Sequence, residues 1–347
     1  MGIYLSKLVE DSKRKFELNS SLYKKRFGFD AYNILYQFIT TIRGVDGEPL
    51  KNEDGKITSH LNGLFYRVLN FLSNDLEVYF VFDGKSIDLK KKTQDERKSR
   101  KEIAKKNFED AVIRGDLEDM NKFSRRFASI DENIILESKE LLGYMGVSII
   151  QAPSEAEAQI SYMTSKNELD FTVSQDFDCL LFNSPNLVRN LTVSMKKKIP
   201  SKNIYVDVSP EIIYLEEVLK NLNISREKLI WLSMLIGTDF NDKVEGVGPK
   251  TAYKLVLENN SFEDIEKVLY EKGKKINFDY KEISSIFENP VIEKNPVIER
   301  NKFNKEKIES YLIDKFNFSQ DRVSLVLDKF LKEKDEKEKQ KSINKWF

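Results

Sequence analysis

The chain has 347 residues, with 57 Lys+Arg against 57 Asp+Glu and a formal net charge of zero. That length suggests roughly two domains, and the balance of charge excludes a generic basic coat for nucleic acid, so any basic surface has to be local. An apolar fraction of 40% is enough to build a core and excludes global disorder, although charged residues, at 33%, exceed the roughly 25% of ordinary domains.

Along the chain, short apolar runs alternate with helical periods. Arg26–Phe29 (RFGF) reads as a strand and Ala31–Arg43 as a helix. Thr58–Leu72 reads as a second helix, and Glu77–Phe82 (EVYFVF) as a continuous apolar strand. Gly84–Lys106 carries ten Lys/Arg and four Asp/Glu; it continues as a polar helical stretch to about Ile130, has little apolar face, and is expected to stand away from the core. Helices are expected over Ile134–Met145, Ser154–Ser165 and Lys228–Ile236, with strands at Val147–Ile150 and Phe171–Val173. Strands buried on both faces and separated by helices indicate an α/β domain with a mostly parallel central sheet. A repeat, NPVIE, at Asn289–Glu293 and Asn295–Glu299, falls in an expected loop. The nearly all-charged Lys332–Lys345 stretch reads as a mobile tail. The most apolar segment, Leu229–Gly237, is far shorter than the ~18 residues of a membrane span, and the start MGIYLSKLVEDSKRKF lacks the apolar centre of a signal peptide. A soluble intracellular protein is expected.

One cysteine, Cys179, and one histidine, His60, leave Asp, Glu, Lys, Arg and Tyr to carry any acid–base or metal chemistry. The acids fall where the strands end. Asp30 follows RFGF and Asp83 follows EVYFVF; Glu155 and Glu157 (APSEAEA) follow the Val147–Ile150 strand, and Asp176 and Asp178 (SQDFD) the Phe171–Val173 strand. Asp239 (IGTDF) comes just past an apolar helix, where the negative end of the helix dipole offers it nothing. The carboxyl ends of strands form the binding crevice of an open parallel sheet. Taken singly, Asp30 and Asp83 also read as ordinary turn residues, Asp176-Phe-Asp178 as a solvated turn, and Ser154-Glu-Ala-Glu157 as a capping box. Taken together, seven acids in one crevice would raise one another's pKa unless cations neutralised them. Oxygen-only ligands select Mg²⁺ or Mn²⁺ over zinc. Two such ions suit in-line displacement at phosphorus; they offset four of seven negative charges, and the basic segment after Asp83 is placed to offset more.

These residues stand in motifs that resemble, over essentially the whole chain, archaeal flap endonucleases of the XPG-type structure-specific 5′ nucleases: FDAYNILYQF, TSHLNGLFYRV, VFDGK, APSEAEAQ, VSQDFDCLLF, VRNLT, IGTDF and GVGPKTA. The resemblance implies a PIN-like nuclease core, a helical arch and a helix–two-turn–helix DNA-binding element. It implies units at 1–105 (nuclease core and start of the arch), 106–130 (rest of the arch), 131–225 (core), 226–331 (helix–two-turn–helix and further helices) and 332–347 (flexible tail). It marks Asp30, Asp83, Glu155, Glu157, Asp176, Asp178 and Asp239 as the ligands of two Mg²⁺ ions, for which Mn²⁺ can substitute. Lys90 and Arg97 match the basic arch residues that contact the scissile phosphate, and Tyr36 the aromatic on which a base stacks. Arg189 matches a DNA-binding position near the active site; a strand-end surface arginine is the other reading. Gly246, Gly248 and Lys250 match the helix–two-turn–helix, whose exposed N–H groups hold duplex phosphates, while Thr251 stands where many relatives carry a second basic residue. Gln340, Ile343, Trp346 and Phe347 resemble the motif that docks in the sliding clamp PCNA. His60 is expected to be a helix-packing residue and Cys179 a small core residue.

The implied activity is cleavage of one phosphodiester bond near the base of a 5′ flap in branched DNA, with 5′–3′ exonuclease activity, by a monomer in replication and repair. Another XPG-type nuclease, a non-catalytic clamp adaptor and a PIN-type ribonuclease are the alternatives. The short gap between the core motifs speaks against a bubble-cutting enzyme, the full set of acids against an adaptor, and GVGPK with the arch against a ribonuclease.

Overall fold

In the computed structural model, residues 2–44, 47–114, 116–192, 196–199 and 204–343 are described. The strands are β1 (Lys13–Lys15), β2 (Arg26–Asp30), β3 (Glu77–Phe82), β4 (Ser148–Gln151), β5 (Phe171–Val173), β6 (Asn186–Arg189), β7 (Lys196–Ile199), β8 (Ile204–Asp207), β9 (Glu211–Tyr214) and β10 (Ile298–Glu299). Eight of them form one sheet in the order β1-β9-β6-β5-β2-β3-β4-β10, and β7 and β8 pair as a separate ribbon. The five central strands, β6 to β4 in that order, are parallel; the flanking pairings are antiparallel. From β2 the chain steps to one side for β3 and β4, then returns to the other side of β2 for β5 and β6. The carboxyl end of β2 is therefore a topological switch point, where an open sheet leaves a crevice.

Period-2 alternation decides what each face of β2 and β3 meets. Phe27 and Phe29 are fully buried on one face, stacked on Phe171 and Phe80 with ring centroids 4.8 and 5.2 Å apart. Val78, Phe80 and Phe82 of β3 join them in a core closed by α2 (Ala31–Thr41), α3 (Ser59–Ser73) and α6 (Glu132–Tyr144). Gly28 and Val81 face the other way, against α7 (Ala156–Ser165). A Cβ on Gly28 would lie 2.6 Å from Leu169 Cδ1 and 2.8 Å from Ile160 Cγ2, so glycine is what lets α7 approach the central strand. His60 is buried between α3 and α6, with Nε2 3.1 Å from Glu137 Oε2, and Cys179 is buried in the helical half of the molecule.

The basic segment forms α4 (Lys91–Arg114), followed by α5 (Leu117–Phe127). It does stand away from the sheet, yet it is not without an apolar seam. Ala104, Phe108 and Ala111, at helical spacing, face α5, where Phe108 meets Phe127 edge-on at 5.3 Å. The helical half continues through α8 (Asp178–Leu181), α9 (Leu215–Leu222), α10 (Arg226–Ile236), α11 (Pro249–Glu258), α12 (Phe262–Glu271) and α13 (Tyr280–Glu288), packed in one cluster with the N-terminal helix α1 (Gly2–Leu8).

Two expectations are corrected here. The second NPVIE copy is not all loop: Ile298–Glu299 adds an antiparallel edge strand to β4, while Glu293 of the first copy exchanges both backbone hydrogen bonds with the Gln159 amide, each 2.8 Å. After α14 (Lys305–Glu309), α15 runs from Gln320 to Ile343, so the stretch from Lys332 is helical as far as Ile343 rather than an irregular tail. Val323, Leu327 and Phe330 bury the first half of α15 in the core. Lys329 pairs with Glu333 at helical spacing, 3.8 Å apart, where the charged second half begins, and Lys337 bonds the Ser73 carbonyl and lies 3.5 Å from Asp75. Gln340 is an exposed residue of this helix and Ile343 its last residue; Trp346 and Phe347 lie outside the described residues.

Candidate active site

Hydrogen bonds, some local and some between segments, hold the acids at the strand ends. Asp30 closes β2 and caps α2, its Oδ1 accepting the Asn33 N–H at 3.0 Å. Asp83, one residue past β3, accepts the Ala156 N–H at 2.7 Å and so caps α7 from another segment. This corrects the capping-box reading. The N-cap is Glu155, Ser154 Oγ donates instead to the Lys85 carbonyl at 3.1 Å, and Glu157 accepts Ser174 Oγ at 3.0 Å. The same Ser174 hydroxyl accepts the Asp176 N–H at 3.1 Å, and Asp176 Oδ1 accepts the Asp178 N–H at 3.3 Å.

Asp239 sits in a turn that Gly237 opens at φ 95, a left-handed value suited to glycine. A buried network fixes this turn. Thr238 Oγ1 lies 2.7 Å from Asn241 Oδ1 and accepts the Phe240 N–H at 3.0 Å, while Asn241 Nδ2 donates to the Met234 carbonyl at 2.8 Å. Ser174, Thr238 and Asn241 position the acids and were missed by the sequence reading. Their only signal was a small polar residue beside each acid.

Carboxylate oxygens of Glu157, Asp176 and Asp178 all lie within 4.8 Å of one another. Asp178 is buried, and its Oδ1 has no hydrogen-bond partner, which is costly for a buried polar atom. Burial pushes Asp30 up to about 7, with Asp83 and Asp176 adding to the rise. Burial likewise lifts Asp83 to about 6, against the Ala156 N–H and with help from Glu155. Glu157 and Asp178 are raised well above the carboxylate range, first by burial and then by Asp176. A cluster in this state lacks positive charge, and an all-oxygen donor set with an orphaned oxygen fits hard divalent cations such as Mg²⁺.

The arch supplies part of the missing charge. Lys90, just before α4, pairs with Glu155, lies 4.0 Å from Asp239 and sits 5.2 Å from the centre of the Phe240 ring. Burial alone would lower the Lys90 pKa, but Glu155, Asp239 and Glu157 outweigh it and hold it above the ordinary lysine value. Arg97 Nη2 is 2.7 Å from Asp239 Oδ1, and Thr93 Oγ1 donates to the Asp239 carbonyl at 3.0 Å. These residues, with Tyr32, Asp83 and Glu155, line a cavity of about 290 Å³. Tyr32 was also passed over by the sequence reading.

The remaining candidates lie around this centre. Tyr36 is 40% exposed on α2. Arg189 is turned inward, with Nη1 2.7 Å from Glu211 Oε1 and its guanidinium 4.2 Å from the centre of the Phe177 ring. Gly246, at φ 67, and Gly248, the N-cap of α11, shape the turn between α10 and α11, with Pro249 at the first helical position and Lys250 exposed beside it. Phe240–Gly246, leading into this turn, with Lys272–Lys275 and Asn277–Asp279 line a groove of about 860 Å³ that shares Thr93 with the acid-site cavity. Of the clamp-motif residues, Gln340 and Ile343 belong to α15.

Residues 1–104 match the XPG N-terminal domain and residues 146–239 the XPG I-region, and these two segments contain all seven acids. Flap endonuclease 1 of Thermococcus onnurineus is 40% identical over 348 residues, covering 100% of this chain and 99% of the relative. That of Ignicoccus hospitalis is 42% identical over 350 residues, with the same coverage. The structure of flap endonuclease-1 from Methanococcus jannaschii aligns with a TM-score of 0.71 at 36% identity, covering 94% of this chain and 97% of that one. The catalytic core of Rad2 in complex with DNA substrate shares the fold, with a TM-score of 0.70 at 22% identity over 95% of this chain and 100% of that one. With seven acids at one switch point, both XPG regions and full-length relatives of one kind, this chain is a nuclease belonging to the flap endonuclease 1 family.

Proposed function

We propose that the seven acids hold two Mg²⁺ ions and that the chain cuts one phosphodiester bond near the base of a 5′ flap, leaving a 5′-phosphate and a 3′-hydroxyl. The observation that carries this reading is the meeting of the acid cluster with two cations of the arch, Lys90 at Glu155 and Arg97 at Asp239. When bound, the ions supply nucleophile activation and stabilisation of the leaving oxygen. The chain does the rest. Asp30, Asp83, Glu155, Glu157, Asp176, Asp178 and Asp239 would supply the ligand oxygens. Lys90 and Arg97 exchange their carboxylate partners for the scissile phosphate and offset the charge that develops there. Tyr36 offers an exposed ring for a base to stack on. The Gly246–Lys250 turn holds duplex backbone without reading sequence.

Recruitment is proposed to run through the end of α15, with Gln340, Ile343, Trp346 and Phe347 docking in the sliding clamp during replication and repair. No helix among the described residues is long and apolar enough to cross a membrane.

The test compares a 5′-flap DNA, a bubble DNA and a single-stranded RNA, each with Mg²⁺ or with EDTA, and sizes the products. Mg²⁺-dependent incision at the flap base alone is expected. Preferred cutting of the bubble or the RNA, or cutting in EDTA, contradicts the proposal.

A further inference from the structure

Arg189 was matched to the DNA-contacting surface, yet two of its five N–H donors are engaged inside the protein. Its Nε donates to the Gln175 carbonyl at 3.3 Å, its Nη1 meets Glu211 of β9 at 2.7 Å, and its plane lies over Phe177 at 4.2 Å. Its side chain is only 15% exposed and that of Glu211 20%. Gln175 and Phe177 are the two neighbours of Asp176. On the other side, the Gln175 N–H donates to Asn33 Oδ1 at 3.3 Å, and the backbone N–H of Asn33 donates to Asp30 at 3.0 Å. The turn carrying Asp176 is thus held from β6 and β9 by Arg189 and from α2 by Asn33, the residue that also orients Asp30.

We infer that Arg189 and Asn33 are positioning residues of the acid site: together they clamp the Gln175–Phe177 turn and set the separation of Asp176 from Asp30. The inference rests on the reading of those two acids as metal ligands. A guanidinium is suited to the task because its planar fork reaches a carbonyl and a carboxylate while its face covers a ring. Unlike Lys90 and Arg97, Arg189 has its carboxylate partner outside the acid cluster, on Glu211. Drawing the Nη1 donor away to a phosphate would leave Glu211 partly buried and unpaired. Groups that orient metal ligands typically change metal affinity or activity by about 10–100-fold when removed.

The test uses the full chain and four variants: Arg189→Met, Arg189→Lys, Asn33→Ala and Asp176→Ala. Mn²⁺ affinity is measured by calorimetry, 5′-flap affinity in EDTA at two salt concentrations, and cleavage rate as a function of Mg²⁺, with melting curves to check folding. For Arg189→Met and Asn33→Ala the expected result is Mn²⁺ binding weaker by about 10–100-fold, with cleavage recovering as Mg²⁺ is raised. Flap affinity in EDTA should change less than about twofold, since no phosphate contact is lost. Arg189→Lys keeps the charge without the fork, and should fall with Arg189→Met rather than with the wild type. If Arg189→Met fails to fold, Asn33→Ala, which removes only a neutral amide, decides. Wild-type Mn²⁺ affinity in Asn33→Ala, or weakened flap binding with a shallower salt dependence in Arg189→Met at unchanged Mn²⁺ affinity, overturns the inference. Wild-type Mn²⁺ binding by Asp176→Ala would instead remove the ligand reading on which it rests.

Discussion

Arg97 Nη2 lies 2.7 Å from Asp239 Oδ1, across 142 residues of sequence, and ties the arch to the last of the seven acids. The Arg97 side chain is 55% exposed, so this pair contributes only about 0–1 kcal/mol and can be exchanged at little cost. Lys90, 18% exposed and paired with Glu155, is held more firmly. Both cations are therefore held at the acid cluster, Arg97 loosely and Lys90 more tightly.

It follows that Lys90→Ala and Arg97→Ala should each slow single-turnover cleavage by on the order of 10²–10³. Flap binding should change far less. A rise in the dissociation constant that steepens with salt, at an unchanged cleavage rate, would mark them as phosphate tethers.

The raised carboxyls predict how the metal-free protein responds to pH. Asp30 ionises near 3.8 when unfolded and at about 7 when folded, and Asp83 at about 6. Between those limits the folded state binds more protons than the unfolded one, so stability falls as pH rises. This stabilisation is complete below about pH 4 and is lost as pH passes through 6 to 7. Melting in EDTA should therefore occur at a lower temperature at pH 8 than at pH 5.5, and Asp30→Asn should remove much of the difference. Mg²⁺ should raise the melting temperature more at pH 8. A flat or rising profile in EDTA would contradict the assignment.

Gly28 is tested by Gly28→Val. The added side chain would drive into Leu169 and Ile160, which already lie 2.6 and 2.8 Å from the place of a Cβ. Overpacking of this kind typically costs about 1–3 kcal/mol. Urea denaturation should show that loss, and wild-type stability would mean that α7 can yield.

Much of this was legible beforehand, and the reasons are physical. EVYFVF and FTV could only be buried strands, and Glu77–Phe82 and Phe171–Val173 fall at those residues in the structure. Acids following such strands stand at the mouth of the sheet whatever the loops do, which is why six of them could be singled out from the strands alone, whereas Asp239, after a helix, needed the resemblance. What could not be read was the use of side chains across long separations. S-x-x-E at Ser154 fits a capping box locally, but Asp83 takes the cap from 73 residues away. Ser174, Thr238 and Asn241 are ordinary small polar residues until the turns close around them. For Arg189 a surface reading stayed open because its partners, Gln175 in the turn after β5 and Glu211 on β9, are far from it in sequence. The charged end of the chain reads as a tail by composition, yet the buried first half of α15 provides a helix for it to extend.

That helix also sets where the clamp motif can be removed. Truncation should begin at Gln340, because Lys337 still contacts Ser73 and Asp75. Loss of Gln340–Phe347 should abolish most stimulation by the matching clamp and leave cleavage without clamp within about twofold. Trp346→Ala with Phe347→Ala should act likewise, since buried aromatics dominate small anchored interfaces. Wild-type clamp affinity in a calorimetric titration of the truncated protein would place the docking element elsewhere.

In the proposed function, the acids at the sheet's switch point are the metal-dependent centre of flap cleavage. This is tested most directly by single-turnover cleavage of a 5′-flap DNA by Asp176→Ala in Mg²⁺, with flap binding measured alongside. The account predicts a rate lower by at least about 10²–10³, with binding retained by the α10–α11 turn. Cleavage within about tenfold of wild type, at equal binding, would contradict it.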